Sequence, residues 1–152
     1  MNLLDADDRG IVIACPACGQ KNRLKYTALA DNTRCGACKQ PMPGASVPLE
    51  ITATPAFDRL ITSSPVPVVV DYWAPWCGPC RMVAPELAKV AAGARGRFVV
   101  AKVNTDALSD LGGRYNIRSI PTMAVFSKGQ EVSRTSGARP AADIEAFVLK
   151  TL

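Results

Sequence analysis

Histidine is absent from the 152-residue chain. That excludes a histidine general base, Ser-His-Asp and Cys-His pairs, imidazole metal ligands and haem on histidine. No segment approaches the roughly 18 uninterrupted apolar residues of a membrane span. The first ten residues, MNLLDADDRG, hold three aspartates and no basic stretch leading into an apolar run, so neither a secretory signal nor a transit peptide is expected. The formal charge of +5, from 18 basic and 13 acidic residues, is too small and too scattered to announce a nucleic-acid or membrane partner. A cytoplasmic, reducing compartment is the expectation.

With 48% hydrophobic and 20% charged residues, the chain can bury a core. Its obvious chemistry is six cysteines, all in Cys-x-x-Cys pairs: Cys15/Cys18, Cys35/Cys38 and Cys77/Cys80. In a reducing compartment such spacing indicates metal ligands or redox catalysts more often than structural disulfides.

Composition divides the chain. Residues 1–40 are turn-rich with Tyr26 as the one aromatic, and 41–48 hold three prolines among small residues and read as a semi-extended linker. From 49 to 152 the apolar pattern becomes periodic. It predicts a strand at Leu49–Thr52, a helix capped by Thr54 and running to Ile61, and a strand covered on both faces at Val66–Trp73. A helix follows Cys77 with Val83, Leu87, Val90, Ala91 and Ala94 on one stripe. A strand at Phe98–Val103, a helix at Asp106–Tyr115, a hairpin of Thr122–Phe126 with Glu131–Thr135, and a helix opened by Pro140 complete the order. That order implies an α/β fold, a mixed sheet with helices on both faces.

Cys15-Pro-Ala-Cys18-Gly19 and Cys35-Gly36-Ala-Cys38 are sixteen residues apart, the spacing of a zinc site. Two-residue spacing aims both sulfurs of a knuckle at one centre, Gly19 and Gly36 are expected to relax the turns, and four thiolates satisfy a tetrahedral ion with no open position. One structural Zn²⁺ on Cys15, Cys18, Cys35 and Cys38 is the expectation. Iron also accepts four thiolates, and two local disulfides or four free thiols are the bland alternatives. So few apolar residues suggest that metal supplies the folding energy of this zinc-ribbon-like module. Lys21, Arg23, Lys25, Arg34 and Lys39 flank the knuckles. They read better as charge compensation than as a nucleic-acid surface with Tyr26 as stacking platform.

The third pair, Trp76-Cys77-Gly78-Pro79-Cys80, follows a buried strand and opens a helix. Free N–H groups and the helix dipole there stabilise a Cys77 thiolate, which makes Cys77 the expected exposed nucleophile. Cys80, one turn in, is placed to resolve a disulfide with it. Asp71 interrupts the valine run. If buried it has a raised pKa, with Lys102 as candidate counter-charge; at a strand end it faces solvent instead.

Val70-Asp71-Tyr72-Trp73-Ala74-Pro75-Trp76-Cys77-Gly78-Pro79-Cys80-Arg81 and Ile120-Pro121-Thr122, with Gly129 and Gly137, resemble the thioredoxin family over about Leu49–Leu152. With the tetracysteine module, the whole chain resembles that family's zinc-containing thioredoxin 2 branch in bacteria. The resemblance implies a thioredoxin fold and a protein-disulfide reductase: Cys77 attacks, Cys80 resolves, and the buried Asp71–Lys102 pair helps Cys80 lose its proton. It also implies a cis Pro121, a docking surface of Trp76, Gly78, Pro79, Ile120 and Gly137, oxidised proteins as substrates, and an NADPH-dependent thioredoxin reductase as electron donor. Pro75, Tyr72 and Arg81 depart from common family residues without removing a catalytic group. A second reading keeps the fold but makes the chain a redox-regulated zinc sensor whose partner binding changes on metal release.

Overall fold

The computed structural model describes residues 1–152. Its centre is the β-branched run, which forms β7 (Val68–Trp73), buried throughout except for a half-buried Trp73. On one side β7 pairs in parallel with β8 (Val99–Asn104), and on the other antiparallel with β9 (Thr122–Ser127). Lys128 and Gly129, both at positive φ, turn β9 back into the edge strand β10 (Gln130–Ser136), the two-residue hairpin geometry. Beyond β8 lies β6 (Leu49–Ile51), also parallel. The helices are α1 (Thr54–Ser63), α2 (Gly78–Ala94), α3 (Ser109–Arg114) and α4 (Ala141–Leu149). Val83, Leu87, Val90, Ala91 and Ala94 of α2 are buried with Ile144 and Val148 of α4 against Val69, Val100 and Val125. The opposite sheet face packs on Phe57, Leu60 and Ile61 of α1 and Leu111 of α3. This is the mixed sheet covered on both faces that the element order implies.

Two local expectations shift. Thr54 lies inside α1, whose N-cap is Ala53, and its hydroxyl donates to Asp110. The helix expected from Asp106 begins only at Ser109, because the Asn104 side chain accepts the Asp106 and Ala107 N–H groups and holds them in a turn.

The amino-terminal region differs most from expectation. It forms β1 (Asn2–Ala6), β2 (Gly10–Ala14) and β3 (Lys21–Lys25), and β1 adds in parallel to β6, giving one eight-stranded sheet in the order β10-β9-β7-β8-β6-β1-β2-β3. Leu3, Ile11, Ile13, Leu24, Leu29 and Met42 are buried in the same apolar cluster as Phe57 and Leu60. The stretch 41–48 is no extended linker: Pro41–Met42 is β5, paired with β4 (Thr33–Arg34), and Gly44–Ser46 is a 3-10 turn. Burial against the rest of the molecule therefore contributes stability that the composition of residues 1–40 alone did not suggest. Gly10 records how closely these strands approach: an added Cβ would sit 2.3 Å from the Leu24 carbonyl oxygen.

Candidate active site and metal centre

The chain turns after β7 and enters α2 with Cys77 as its N-cap and Pro79 in the first turn, where a missing N–H costs nothing. Cys77 and Cys80 form a disulfide with Cα atoms 5.2 Å apart. Cys77 Sγ accepts the Cys80 N–H at 3.2 Å, one of the donors that an α-helix start leaves free. The expectation of an exposed Cys77 is not met in this oxidised form. Cys77 is 3% exposed and Cys80 4%, packed with Ala74, Trp73 and Ile120. Trp76 instead stands out at 67% exposure, its indole N–H donating to Asp106 at 3.3 Å.

Opposite the disulfide lies the loop before β9. The Ile120–Pro121 bond is cis. The Ile120 carbonyl oxygen is 3.8 Å from Cys77 Sγ, and the Pro121 carbonyl accepts the Gly137 N–H at 2.9 Å. The fold thus sets Ile120 against the sulfur pair that Gly78 and Pro79 separate, with Trp76 just before it and Gly137 tied through its N–H to Pro121. Trp76 and Ile120 also line a cleft of about 400 Å³ with Ile117 and Arg118. Arg81, which departs from the common family residue, donates to the Pro75 carbonyl at 3.0 Å.

Asp71 is buried, which removes the strand-end alternative, and both its carboxylate oxygens lack a hydrogen-bond partner. Burial pushes its pKa up to about 7; Lys102 pulls against that rise and Glu50 adds to it. Lys102 is Asp71's register partner on β8 and acts on it as a counter-charge, without an ion pair within 4.0 Å. The Lys102 ammonium rests over the Trp73 ring, 4.7 Å from its centroid, a cation–π position. Glu50 was not anticipated. It is Lys102's register partner on β6, and it accepts the Trp73 indole N–H at 3.1 Å. Its sequence signal was present: Leu49-Glu50-Ile51 alternates, which turns the carboxylate away from the core face holding Leu49 and Ile51.

The remaining cysteines gather at the far end of the sheet. Their sulfurs all lie within 4.8 Å of one another, with Cys15–Cys38 at 3.7 Å and Cys18–Cys35 at 3.6 Å. A tetrahedron with metal–sulfur bonds of about 2.3 Å has edges of about 3.8 Å, so the donor set fits a tetrathiolate ion. The two knuckles match atom for atom. Ala17 and Ala37 N–H donate to Cys15 and Cys35 Sγ, each at 3.4 Å, and Gly19 and Lys39 N–H close the turns onto the Cys15 and Cys35 carbonyls. Gly36 does not relax its turn as expected; Lys39 takes the left-handed position equivalent to Gly19, with φ of 65° against 79°. Asn22, also not foreseen, braces the second knuckle by donating to Cys35 Sγ and accepting the Gly36 N–H. Together with the Cys38 backbone, these donors hold the Cys35 thiol below its usual range. Three of the five basic residues are engaged locally: Arg23 with Asp7, Arg34 with the Lys39 carbonyl, and Lys39 with the Gly36 carbonyl. Tyr26 is only 8% exposed, so it is no stacking platform.

Comparison with known proteins agrees with this geometry. The family model described as Thioredoxin matches residues 48–150. Thioredoxin C-3 of Corynebacterium nephridii is 39% identical over 139 residues, covering 91% of this chain and 93% of that protein. An alignment of that length must reach well into the cysteine knuckles. Thioredoxin 1 of a Nostoc species is 46% identical over 96 residues, covering 63% of this chain and 90% of that protein. Among solved structures, a mutant thioredoxin from Halobacterium salinarum superposes with a TM-score of 0.64 at 25% identity, over 70% of this chain and 91% of that one. Sulfur pair, facing proline loop, sheet order and these likenesses converge: the chain belongs to the thioredoxin family of protein dithiol–disulfide oxidoreductases.

Proposed function

We propose that the protein reduces disulfides in other proteins through Cys77 and Cys80, with a structural zinc ion held by Cys15, Cys18, Cys35 and Cys38. The observation that carries the reading is the Cys77–Cys80 disulfide at the start of α2, facing the Ile120-Pro121 loop. In the reduced protein, the Cys77 thiolate is stabilised by the Cys80 N–H and the helix dipole. It attacks one sulfur of a substrate disulfide; a mixed disulfide forms and the other substrate sulfur leaves as thiolate. Cys80 then gives its proton to Asp71, whose pKa of about 7 suits the exchange near neutrality, and attacks Cys77 Sγ. The Cys77–Cys80 bond forms, the second substrate sulfur leaves, and the substrate has gained two electrons. Trp76, Gly78, Pro79, Ile120, Pro121 and Gly137 form the surface that receives the substrate chain. Lys102 tempers Asp71 electrostatically rather than by contact. An NADPH-dependent thioredoxin reductase returns the electrons, and a reducing cytoplasm is the setting. No helix is long and apolar enough to cross a membrane.

Replacing Cys77 by Ser is expected to lower insulin-disulfide reduction by at least about a hundredfold; full activity in that variant contradicts the assignment. A second reading, a zinc sensor that responds to oxidation, has one observation in favour: Cys18 is exposed while Cys15 and Cys35 are buried. Metal content and partner binding unchanged by mild peroxide would remove it.

A further inference from the structure

Three charged side chains lie in one row across neighbouring strands: Glu50 on β6, Lys102 on β8 and Asp71 on β7, each in register with the next. In-register residues on paired strands point to the same face and stand close enough to interact. That face is the α2 side of the sheet, since Val69 and Val100, two positions before Asp71 and Lys102, pack against Val83 and Leu87. Trp73 completes the group from the end of β7, its ring under the Lys102 ammonium and its N–H on Glu50. One cation thus stands between two carboxylates, and one of these fixes the ring on which the cation rests.

We propose that Glu50 is a positioning residue for the dithiol chemistry: by anchoring Trp73 and drawing on the same Lys102 charge as Asp71, it sets the pH at which Asp71 takes the proton of Cys80. The inference deepens the proposed function and rests on it. The groups around the pair define the electrostatics. Asp71 is acted on by Lys102 and Glu50, and its β9 register partner is the apolar Met123. The cluster that α2 and α4 form on this face is apolar, apart from the active-site sulfurs where α2 begins. Glu50 is raised by burial and lowered by Lys102, the Trp73 indole and the Met1 amino group. Its own N–H donates to the Met1 carbonyl. With Glu50 made neutral, Lys102 acts on Asp71 without a competing anion, so Asp71 ionises at lower pH.

The test uses the reduced protein loaded with zinc and labelled with ¹³C at aspartate carboxyls. Asp71→Asn assigns the resonance. Glu50→Gln keeps an acceptor for the Trp73 N–H while removing the charge. The Asp71 titration midpoint is expected to fall in Glu50→Gln by on the order of half a pH unit, and to return toward the unmodified value in Glu50→Asp. The pH profile of insulin reduction is expected to move with it. An unmoved Asp71 midpoint in Glu50→Gln overturns this inference while leaving Asp71 as proton acceptor. If Asp71→Asn follows the same pH–rate curve as the unmodified protein, the proton-acceptor reading falls and takes this inference with it.

Discussion

After Cys18 and Cys38 the chain reverses at a residue with positive φ and returns as strand or turn, whereas after Cys80 it continues as helix to Ala94. The same Cys-x-x-Cys spacing consequently presents its sulfurs in two ways. In the knuckles the N–H two residues on donates to the first sulfur, and both sulfurs face the other knuckle. At α2 the N–H three residues on donates to Cys77, which belongs to a helix N-terminus and faces a loop instead of another sulfur pair. Spacing alone thus does not fix how a sulfur pair is presented; the backbone following the second cysteine does. Individual buried groups also contrast. Cys15 and Cys35 each accept hydrogen bonds, while the Asp71 carboxylate, like the Tyr26 and Tyr72 hydroxyls, has no partner.

The last contrast gives the largest expected effect on stability. The pKa of Asp71 is raised in the folded protein, so the folded state binds the proton more tightly than the unfolded chain does. Stability therefore falls as pH rises from about 4, the unfolded value, to about 7, and levels off above. Relative to the unmodified protein, Asp71→Asn should gain on the order of 4 kcal/mol of unfolding free energy between pH 4 and pH 8. Urea titrations at the two pH values measure this; a constant difference contradicts a buried, orphaned carboxylate. Next is Gly10→Ala, which should cost about 1–3 kcal/mol, because the new Cβ meets the backbone of β3. An unchanged urea midpoint in that variant would mean that β2 and β3 do not approach each other at Gly10 as described. Smallest is Lys39→Gly, which relieves the left-handed residue in the second knuckle and matches Gly19. A gain below about 1 kcal/mol is expected, read as a slightly higher melting temperature; a clear loss would show that the Lys39 contact with the Gly36 carbonyl matters more than backbone relief.

What sequence could deliver followed the range of the interaction. The β7 valine run and the α2 stripe encode burial through short periods, and both strand and helix lie where the pattern put them. The Cys77–Cys80 pair was legible because a helix start is a local event, and the gathering of Cys15, Cys18, Cys35 and Cys38 because two knuckles at suitable separation leave few other arrangements. Long-range placement was not legible. Leu3, Ile11 and Ile13 look too few to build a core, since the apolar surface they bury against, Phe57 and Leu60, lies more than 40 residues away. Lys102 acts on Asp71 as the candidate counter-charge, but how it does so depends on strand register: the ammonium rests over Trp73, and Glu50 stands on its other side. Gly36 misled because the left-handed turn residue follows the second cysteine, and there a lysine carries it.

The division of six cysteines into four that bind an ion and two that exchange electrons is tested most directly by counting thiols and metal together, on reduced protein purified without chelator. Two thiols should react in the native state, and four more only on denaturation with chelator, with one equivalent of zinc released. Six thiols reacting at once with no metal, or metal lost when only Cys77 and Cys80 are modified, would contradict the account.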